Sequence, residues 1–312
     1  MTKKPIVVLV GPTAVGKTAA SIALAQQLNG EIISGDSMQI YRGLDIGTAK
    51  ITPEEMQGVT HHLLDIRDIE ENFSAADFKV EADKVIADIH QRGKLPIIVG
   101  GTGFYINSLI YEYHFGEAIT DEAYRTELQA FVDIHGKEAL HQRLAEIDAT
   151  TAARLHANDV KRVMRALEVY HVTGKPLSSM ENQVNKQVLR YPTVYLGLGM
   201  ERERLYERIN QRVDLMMEQG LLEETKTALA KGVSPQAQSM TSLGYRQIIQ
   251  YLQGEVSLEK AIELIKRDTR HFAKRQLTWF RHDPNLIWVM KDGKTEEEVE
   301  TELLAKIKEI IH

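Results

Sequence analysis

No cysteine occurs among the 312 residues, which excludes disulfides and thiolate metal sites. Aromatic residues are few, at 6% with only two tryptophans, and there are eight prolines. No apolar run approaches the roughly 20 residues needed to cross a bilayer. Met1-Thr-Lys-Lys-Pro5 leads straight into an apolar stretch, with no signal peptide pattern. A cytoplasmic protein is therefore expected, with no membrane partner. An excess of positive charge is also lacking: the net charge is −6, which argues mildly against nucleic acid as a partner. The remaining composition, 43% hydrophobic and 26% charged, is that of a globular chain with one large domain or a core plus an insert.

What is present begins at the N-terminus. Ile6 to Val10 are all apolar, and Gly11-Pro-Thr-Ala-Val-Gly-Lys-Thr18 follows. The spacing satisfies G-x-x-x-x-G-K-[ST], with a β-rich run before it and a helical pattern, Ala19 to Leu28, behind it. Glycines let such a loop turn its backbone N–H groups toward phosphate oxygens, and the helix N-terminus adds partial positive charge. Lys17 contributes a full charge, and Thr18 can hold a magnesium ion. The pattern says phosphate, without saying whether it is transferred, hydrolysed or expelled.

Residues 31–35 read as a second strand ending at Asp36, where ligands bind in an open α/β sheet. Asp36 is thus a candidate for acid–base work, or equally a turn-closing aspartate. His61-His-Leu-Leu-Asp65 reads as a strand; its histidines point to opposite faces and are taken as structural. Ser74 caps a helix running to about Gln91, and Leu95 to Gly100 is a buried strand. Where many nucleotide hydrolases carry an acidic residue at such a strand end, this chain has Gly100-Gly-Thr102; Asp65 is the available substitute.

Between about 116 and 190 strand signals vanish and helical stretches follow near 120–133, 137–146, 149–156 and 159–172. Lys161, Arg162 and Arg165 share one turn there, either as a solvated face or as a surface for phosphates. Thr193 to Gly199 resumes strand character. A helix from Glu201 to Gln219 then carries Arg204, Arg208 and Arg212 on one side, either salt-bridged or closing on an anion. Ser242-Leu-Gly-Tyr-Arg246 breaks before a helix. Within 265–281 six basic residues face one acidic residue, interleaved with Phe272, Trp279 and Phe280. That suits a nucleic-acid backbone, or a helix whose Phe272 and Trp279 form the core stripe. An acidic tail opens its last helix at Glu296. The fold class expected is α/β: a P-loop NTPase-like parallel sheet flanked by helices (1–115 and 191–312), with an all-helical insertion at 116–190.

Taken together these stretches resemble the bacterial tRNA dimethylallyltransferases. The likeness rests on the phosphate loop, Ser34-Gly-Asp-Ser-Met-Gln-Ile-Tyr41, Leu44-Asp-Ile-Gly-Thr-Ala-Lys50, His61 to Asp65, Phe73 to Phe78, Val99 to Thr102, Arg162 to Glu168, Gly244-Tyr-Arg246 and Thr269 to Arg281. They occur in the family's order and span residues 6 to 281. The Asp-Ser-x-Gln-x-Tyr and Ala-Lys-Arg-Gln-x-Thr-Trp stretches are the most specific. The resemblance implies transfer of a dimethylallyl group from dimethylallyl diphosphate to the exocyclic amine of the tRNA adenosine 3′ of the anticodon. It implies Mg²⁺ at Thr18, and Gly11, Pro12, Thr13, Ala14, Val15, Gly16, Lys17 and Thr18 around the diphosphate. Arg212, with Arg208, would stabilise the leaving group, and Asp36 would accept from the amine. Asp36, Ser37, Met38, Gln39, Thr102, Arg125, Lys161, Arg162, Arg165, Gly244, Tyr245 and Arg246 match tRNA-contacting positions, and the insertion would grip the anticodon stem-loop. No protein partner is expected, and a monomer is. A P-loop small-molecule kinase using ATP is the alternative.

Overall fold

Five consecutive apolar residues cannot alternate between core and solvent, so they require cover on both faces of a sheet. β1 (Ile6–Val10) is accordingly buried at every position. In the computed structural model, which describes residues 4–112, 121–180 and 188–311, the chain divides into two compact units: Met1–Glu112 with Lys186–His312, and Tyr113–Asn185. The expected first boundary at 115/116 lies outside the described residues.

The first unit holds a six-stranded sheet whose paired strands all run parallel. After β1 come α1 (Lys17–Gln27), β2 (Gly30–Ser34), β3 (His61–His62), α2 (Ala75–Gln91), β4 (Leu95–Gly100) and α3 (Gly103–Ile110). With β5 (Thr193–Gly199) and β6 (Ile287–Met290), their strand order is β3-β2-β4-β1-β5-β6. β1 lies between β4 and β5, with Val8 level with Ile98 on one side and Tyr195 on the other. The carboxyl ends of β1, β2 and β4 therefore open at one edge, and that edge carries Gly11, Gly35-Asp36 and Gly101-Thr102. The approach is close: a Cβ on Gly100 would stand 2.3 Å from the Gly35 carbonyl oxygen. α2 starts with the expected Ser74 cap, in a reciprocal box with Asp77.

The second unit contains α4 (Glu122–Ile147), α5 (Ala149–Arg154), α6 (Val160–Thr173) and α7 (Leu177–Met180). The two helices read at 120–133 and 137–146 form one run bent at Gly136, whose φ is 82°. Tyr124, Leu128, Leu140, Leu144, Val163 and Leu167 pack into this unit's own core. Chain from Lys186 onward belongs to the first unit, and Arg190 donates to Asp83 and to the Leu109 carbonyl there.

The sheet unit resumes with β5 (Thr193–Gly199), α8 (Arg202–Gln219), α9 (Leu221–Ala230), α10 (Tyr245–Leu252), α11 (Leu258–Arg281), β6 (Ile287–Met290) and α12 (Glu296–Ile311). A hydrophobic core on this unit joins Val7, Leu9 and Leu196 of the sheet to α1, α8 and α12 through Leu24, Ile209 and Leu303. Among the described residues no helix is long and apolar enough to cross a membrane.

Two expectations change. His61 to Asp65 is not a five-residue strand: only His61 and His62 pair, because Leu63 and Asp65 take positive φ (60° and 54°) and turn the chain away. On α11 the core stripe is Ala261, Ile265, Ala273, Gln276 and Phe280, while Trp279 is 41% exposed and Phe272 half-buried.

Candidate active site

The loop between β1 and α1 is held open by its own backbone and by residues distant in sequence. Gly16 opens α1 at φ 101° in the left-handed region, which a side chain would strain. Lys17 Nζ donates to the carbonyls of Gly11 and Pro12, both at 2.9 Å. This folds the lysine over the loop instead of out to solvent. Burial pushes its pKa down to about 8; Arg212 pushes the same way and Asp36 opposes. A cation whose charged form is disfavoured by its surroundings gains more from an incoming anion than a solvated one.

α8 brings two of its three aligned arginines to this loop. Arg208 Nε donates to the Ala14 carbonyl at 2.9 Å, and Arg212 to Thr13 Oγ1 at 3.2 Å. Arg204 instead lies 3.8 Å from Asp292, half exposed. So the two readings of that helix divide along its length: one salt-bridged turn, then two turns against the loop. Burial lowers the Arg212 pKa, with Asp36 raising it and Arg208 lowering it.

Asp36 stands just past β2 and closes a turn: its Oδ1 accepts from the Met38 backbone N–H at 2.8 Å. It also lines two cavities. One, of about 520 Å³, is walled by Ala14, Gly16, Lys17, Thr18, Arg208 and Gln276. The other, of about 330 Å³, is walled by Ser37, Met38, Thr102, Gly244, Arg246 and Arg275. Thr13, Asp36, Thr48, Arg212 and Phe272 belong to both. The first cavity is thus cationic and suited to a polyphosphate, the second is mixed and partly apolar, and they meet at a carboxylate.

The family model for IPP transferase matches residues 39–283 of this chain. The chain belongs to the IPP transferase family. A tRNA dimethylallyltransferase of Halalkalibacterium halodurans is 51% identical over 286 residues, covering 92% of this chain and 91% of that protein. One of Geobacillus thermodenitrificans is 53% identical over 288 residues, covering 92% and 90%. Among solved structures, the full-length tRNA isopentenylpyrophosphate transferase of Bacillus halodurans matches with a TM-score of 0.73 and 48% identity over 99% of this chain and 98% of that one. A eukaryotic dimethylallyltransferase acting on tRNA matches at TM-score 0.81 and 30% identity, over 98% of this chain and 80% of that one.

Within this IPP transferase the positions matched to tRNA contacts fall into two groups. In the sheet unit, Ser37 N–H donates to Thr102 Oγ1 at 3.1 Å, and Gln39 holds Ser34 with its oxygen and the Thr48 and Ala49 carbonyls with its nitrogen. Arg246 is exposed and pairs with Asp268 at 2.8 Å. Tyr245 differs from the expectation. Its side chain is fully buried, with its hydroxyl 2.6 Å from Glu224, so it holds the Gly47 loop in place and offers no side-chain surface to RNA. In the helical unit, Lys161 and Arg162 are exposed, whereas Arg125 and Arg165 both bind the buried Glu168, at 2.8 Å and 2.5 Å. These two arginines therefore have a structural partner as well as an exposed edge.

Asp65, the substitute acid of the hydrolase reading, is bound to Lys50 at 2.6 Å and lines neither cavity. His62 bonds the buried Glu31 beside Arg92 and Lys94, and His61 bonds the Val59 carbonyl; both are structural. Gln276 was not singled out by sequence reasoning beyond its place in the Ala-Lys-Arg-Gln-x-Thr-Trp stretch. It is 6% exposed, accepts from the Thr13 N–H and donates to the Gly101 carbonyl, each at 2.9 Å. No local sequence signal separates it from the other polar residues of this basic amphipathic helix.

Proposed function

We propose that this protein is a tRNA dimethylallyltransferase. It moves the dimethylallyl group from dimethylallyl diphosphate to the N6 amine of the adenosine immediately 3′ of the anticodon, and releases diphosphate. The observation that carries the chemistry is that Asp36 stands where the cationic and the mixed cavity meet. A donor whose leaving group is anionic fits the first cavity, and a flipped base entering through the second arrives at the carboxylate. Freeing that base from its stack costs about a few kcal/mol. Unstacked loop bases are also what sequence-specific RNA recognition favours.

In this reading the loop N–H groups, Lys17, Arg208 and Arg212 hold the diphosphate and stabilise the charge that builds as it departs, the kind of term that dominates many barriers. The N6 lone pair forms the new bond to the allylic carbon while the carbon–oxygen bond breaks, its electron pair leaving with diphosphate. The amine proton passes to Asp36. Phe272, common to both cavities, gives the five-carbon chain an apolar wall. Among the described residues there is no cluster of three acidic or histidine ligands. Mg²⁺ would be held through Thr18 and the diphosphate itself, since this ion keeps most of its waters. Bound there, it would neutralise leaving-group charge. The exposed Lys161 and Arg162 serve the tRNA backbone, and the cytoplasm is the proposed place of action.

The alternative, a kinase using ATP, would also need an acceptor pocket beside its phosphates; it is the family assignment that disfavours it. The test is mass analysis of nucleosides from unmodified tRNA incubated with dimethylallyl diphosphate. Gain of the five-carbon mass is expected; ATP consumption without that gain refutes the reading. Asp36→Ala should lower turnover by about 10²–10⁴-fold, while tRNA affinity falls far less. Unchanged turnover removes Asp36 from the mechanism.

A further inference from the structure

Against the phosphate loop, and lining neither cavity, lies a lysine that belongs to neither the loop motif nor the span matched by the family model. Lys291 follows β6 directly, and its backbone N–H continues the pairing by donating to the Gly199 carbonyl at 3.0 Å. Its side chain is 3% exposed. A lysine with a four-carbon stem would ordinarily snorkel to solvent. This one runs inward and ends against Gly16: a Cβ built on that glycine would be 2.7 Å from Lys291 Nζ and 3.9 Å from the Arg208 guanidinium. The glycine therefore leaves room for an ammonium directly beneath the turn that opens α1. The partner of that ammonium is Glu296 at the start of α12, at 2.7 Å and 2.8 Å, and the Glu296 side chain is 59% exposed. The cation is buried against the loop while its counter-charge stands in water, so the lysine's field reaches the loop less screened than the glutamate's does.

The next residue ties the same segment to the arginine helix. Asp292 Oδ2 accepts from the Glu201 N–H at 2.8 Å, ahead of the first turn of α8. One short segment thus touches the phosphate loop and the start of the helix that carries Arg208 and Arg212.

We propose that Lys291 is a positioning and electrostatic residue for the anionic donor: a buried cation placed behind Gly16 that raises the loop's affinity for a diphosphate without touching it. This rests on the diphosphate reading of the first cavity. An ion pair that merely fastens α12 to the sheet would be weakened alike by loss of either partner. A cation acting on the site through space would not: removing it weakens anion binding, whereas removing its glutamate, a negative charge near the same loop, tightens it.

The experiment is calorimetric titration of the full-length protein with inorganic pyrophosphate and Mg²⁺, for the wild type, Lys291→Met and Glu296→Gln, with thermal melts and tRNA binding alongside. Lys291→Met is expected to weaken pyrophosphate binding about tenfold, with tRNA binding unchanged. Glu296→Gln is expected to tighten it about twofold to threefold, less because that group is exposed and screened. Equal weakening by both variants, or no change with Lys291→Met, overturns the proposal and leaves a structural ion pair. If Lys291→Met does not fold, Glu296→Gln decides alone: tighter binding supports the proposal, and unchanged or weaker binding overturns it. A wild-type protein that binds no pyrophosphate overturns the donor reading itself and this proposal with it, an outcome distinct from the others.

Discussion

Replacing Gln276 by leucine removes two hydrogen bonds without removing much volume. The side chain is buried on α11 and joins the phosphate loop to the end of β4, accepting from the Thr13 N–H and donating to the Gly101 carbonyl, both at 2.9 Å. Leucine leaves both backbone groups without that partner. An unsatisfied buried group costs about 1–3 kcal/mol. Thr13 and Gly101 also line the first cavity, where water can reach them, so the lower end applies to each and the total is about 2 kcal/mol. For a unit of this size that corresponds to a fall in melting temperature of about 4–8 °C. The loss falls on the residue that Arg212 also holds, so the loop should be less ordered before the donor arrives, and pyrophosphate should bind about tenfold more weakly.

Gln276→Glu separates geometry from charge. It keeps an acceptor for the Thr13 N–H but sets a carboxylate against the Gly101 carbonyl and beside the anion site. Pyrophosphate affinity should fall further than with leucine, whatever the change in melting temperature. Differential scanning calorimetry and pyrophosphate titration check both. A leucine variant that melts and binds as the wild type does, or a glutamate variant that binds pyrophosphate better than the leucine variant, refutes the idea that this side chain pre-arranges the loop.

Two further outcomes are expected. Lys17, with its pKa lowered to about 8 by burial and Arg212, is charged below that pH and neutral above it in the free protein. A bound anion favours the charged form and raises the pKa, so affinity is full below about pH 8 and declines as pH rises through it, with proton uptake on binding just above. Pyrophosphate titrations from pH 7 to 9.5 in two buffers of different ionisation enthalpy measure this, and Lys17→Arg, charged throughout, cancels the ligand's own titration; identical profiles for the two proteins contradict it. In the helical unit, Lys161→Ala should reduce the salt dependence of tRNA binding by about one unit of slope with no change in melting. Arg165→Ala should in addition lower stability, since Glu168 is fully buried and loses a partner at 2.5 Å. Equal melting of the two variants refutes the distinction drawn between them.

The sheet core was legible where a local signal coincided with a long-range consequence. Ile6 to Val10 is a run too apolar for an edge, and it became an interior strand. Ser74 with Asp77 is a local cap and needed no tertiary information. Asp36 could be placed at a strand end but not between two cavities, because one wall of each comes from helices more than 160 residues later. Gln276 and Lys291 were illegible for the same reason: their partners, Thr13, Gly101 and Gly16, are meaningful only once α11 and β6 are seated. The edge strand Ile287–Met290 has the composition of a strand, but four residues ahead of a charged tail give too short a period to separate it from a turn. On α11, Phe272 and Trp279 suggested a core stripe by spacing alone. The stripe that packs lies one position on, through Ala273, Gln276 and Phe280, and a buried glutamine within it reads as polar in any periodicity count.

The fate of Tyr245 shows how a motif position can matter to a binding surface without reaching it. Glu224 on α9 accepts backbone N–H groups from Asp45, Ile46 and Gly47, at 2.8, 2.9 and 3.0 Å, and the Tyr245 hydroxyl at 2.6 Å. A carboxylate saturated by four donors fixes the loop that presents Thr48 and Ala49 to Gln39, and so fixes the stretch beginning at Asp36. On the far side Gln247 accepts from the Gly244 N–H and donates to Asp268, which also binds Arg246. The Asp36 stretch, the Leu44 to Lys50 stretch and the Gly244-Tyr-Arg246 turn are therefore one hydrogen-bonded frame around the second cavity, although they are separate in sequence. A frame of this kind holds the wall at Asp36 in one geometry, as proton acceptance at a defined atom would require in the proposed reaction. On that argument the most specific stretches of the sequence hold one another, and Ser37, Met38, Thr102 and Arg246 are among the members of that frame that line the second cavity, Arg246 while paired with Asp268.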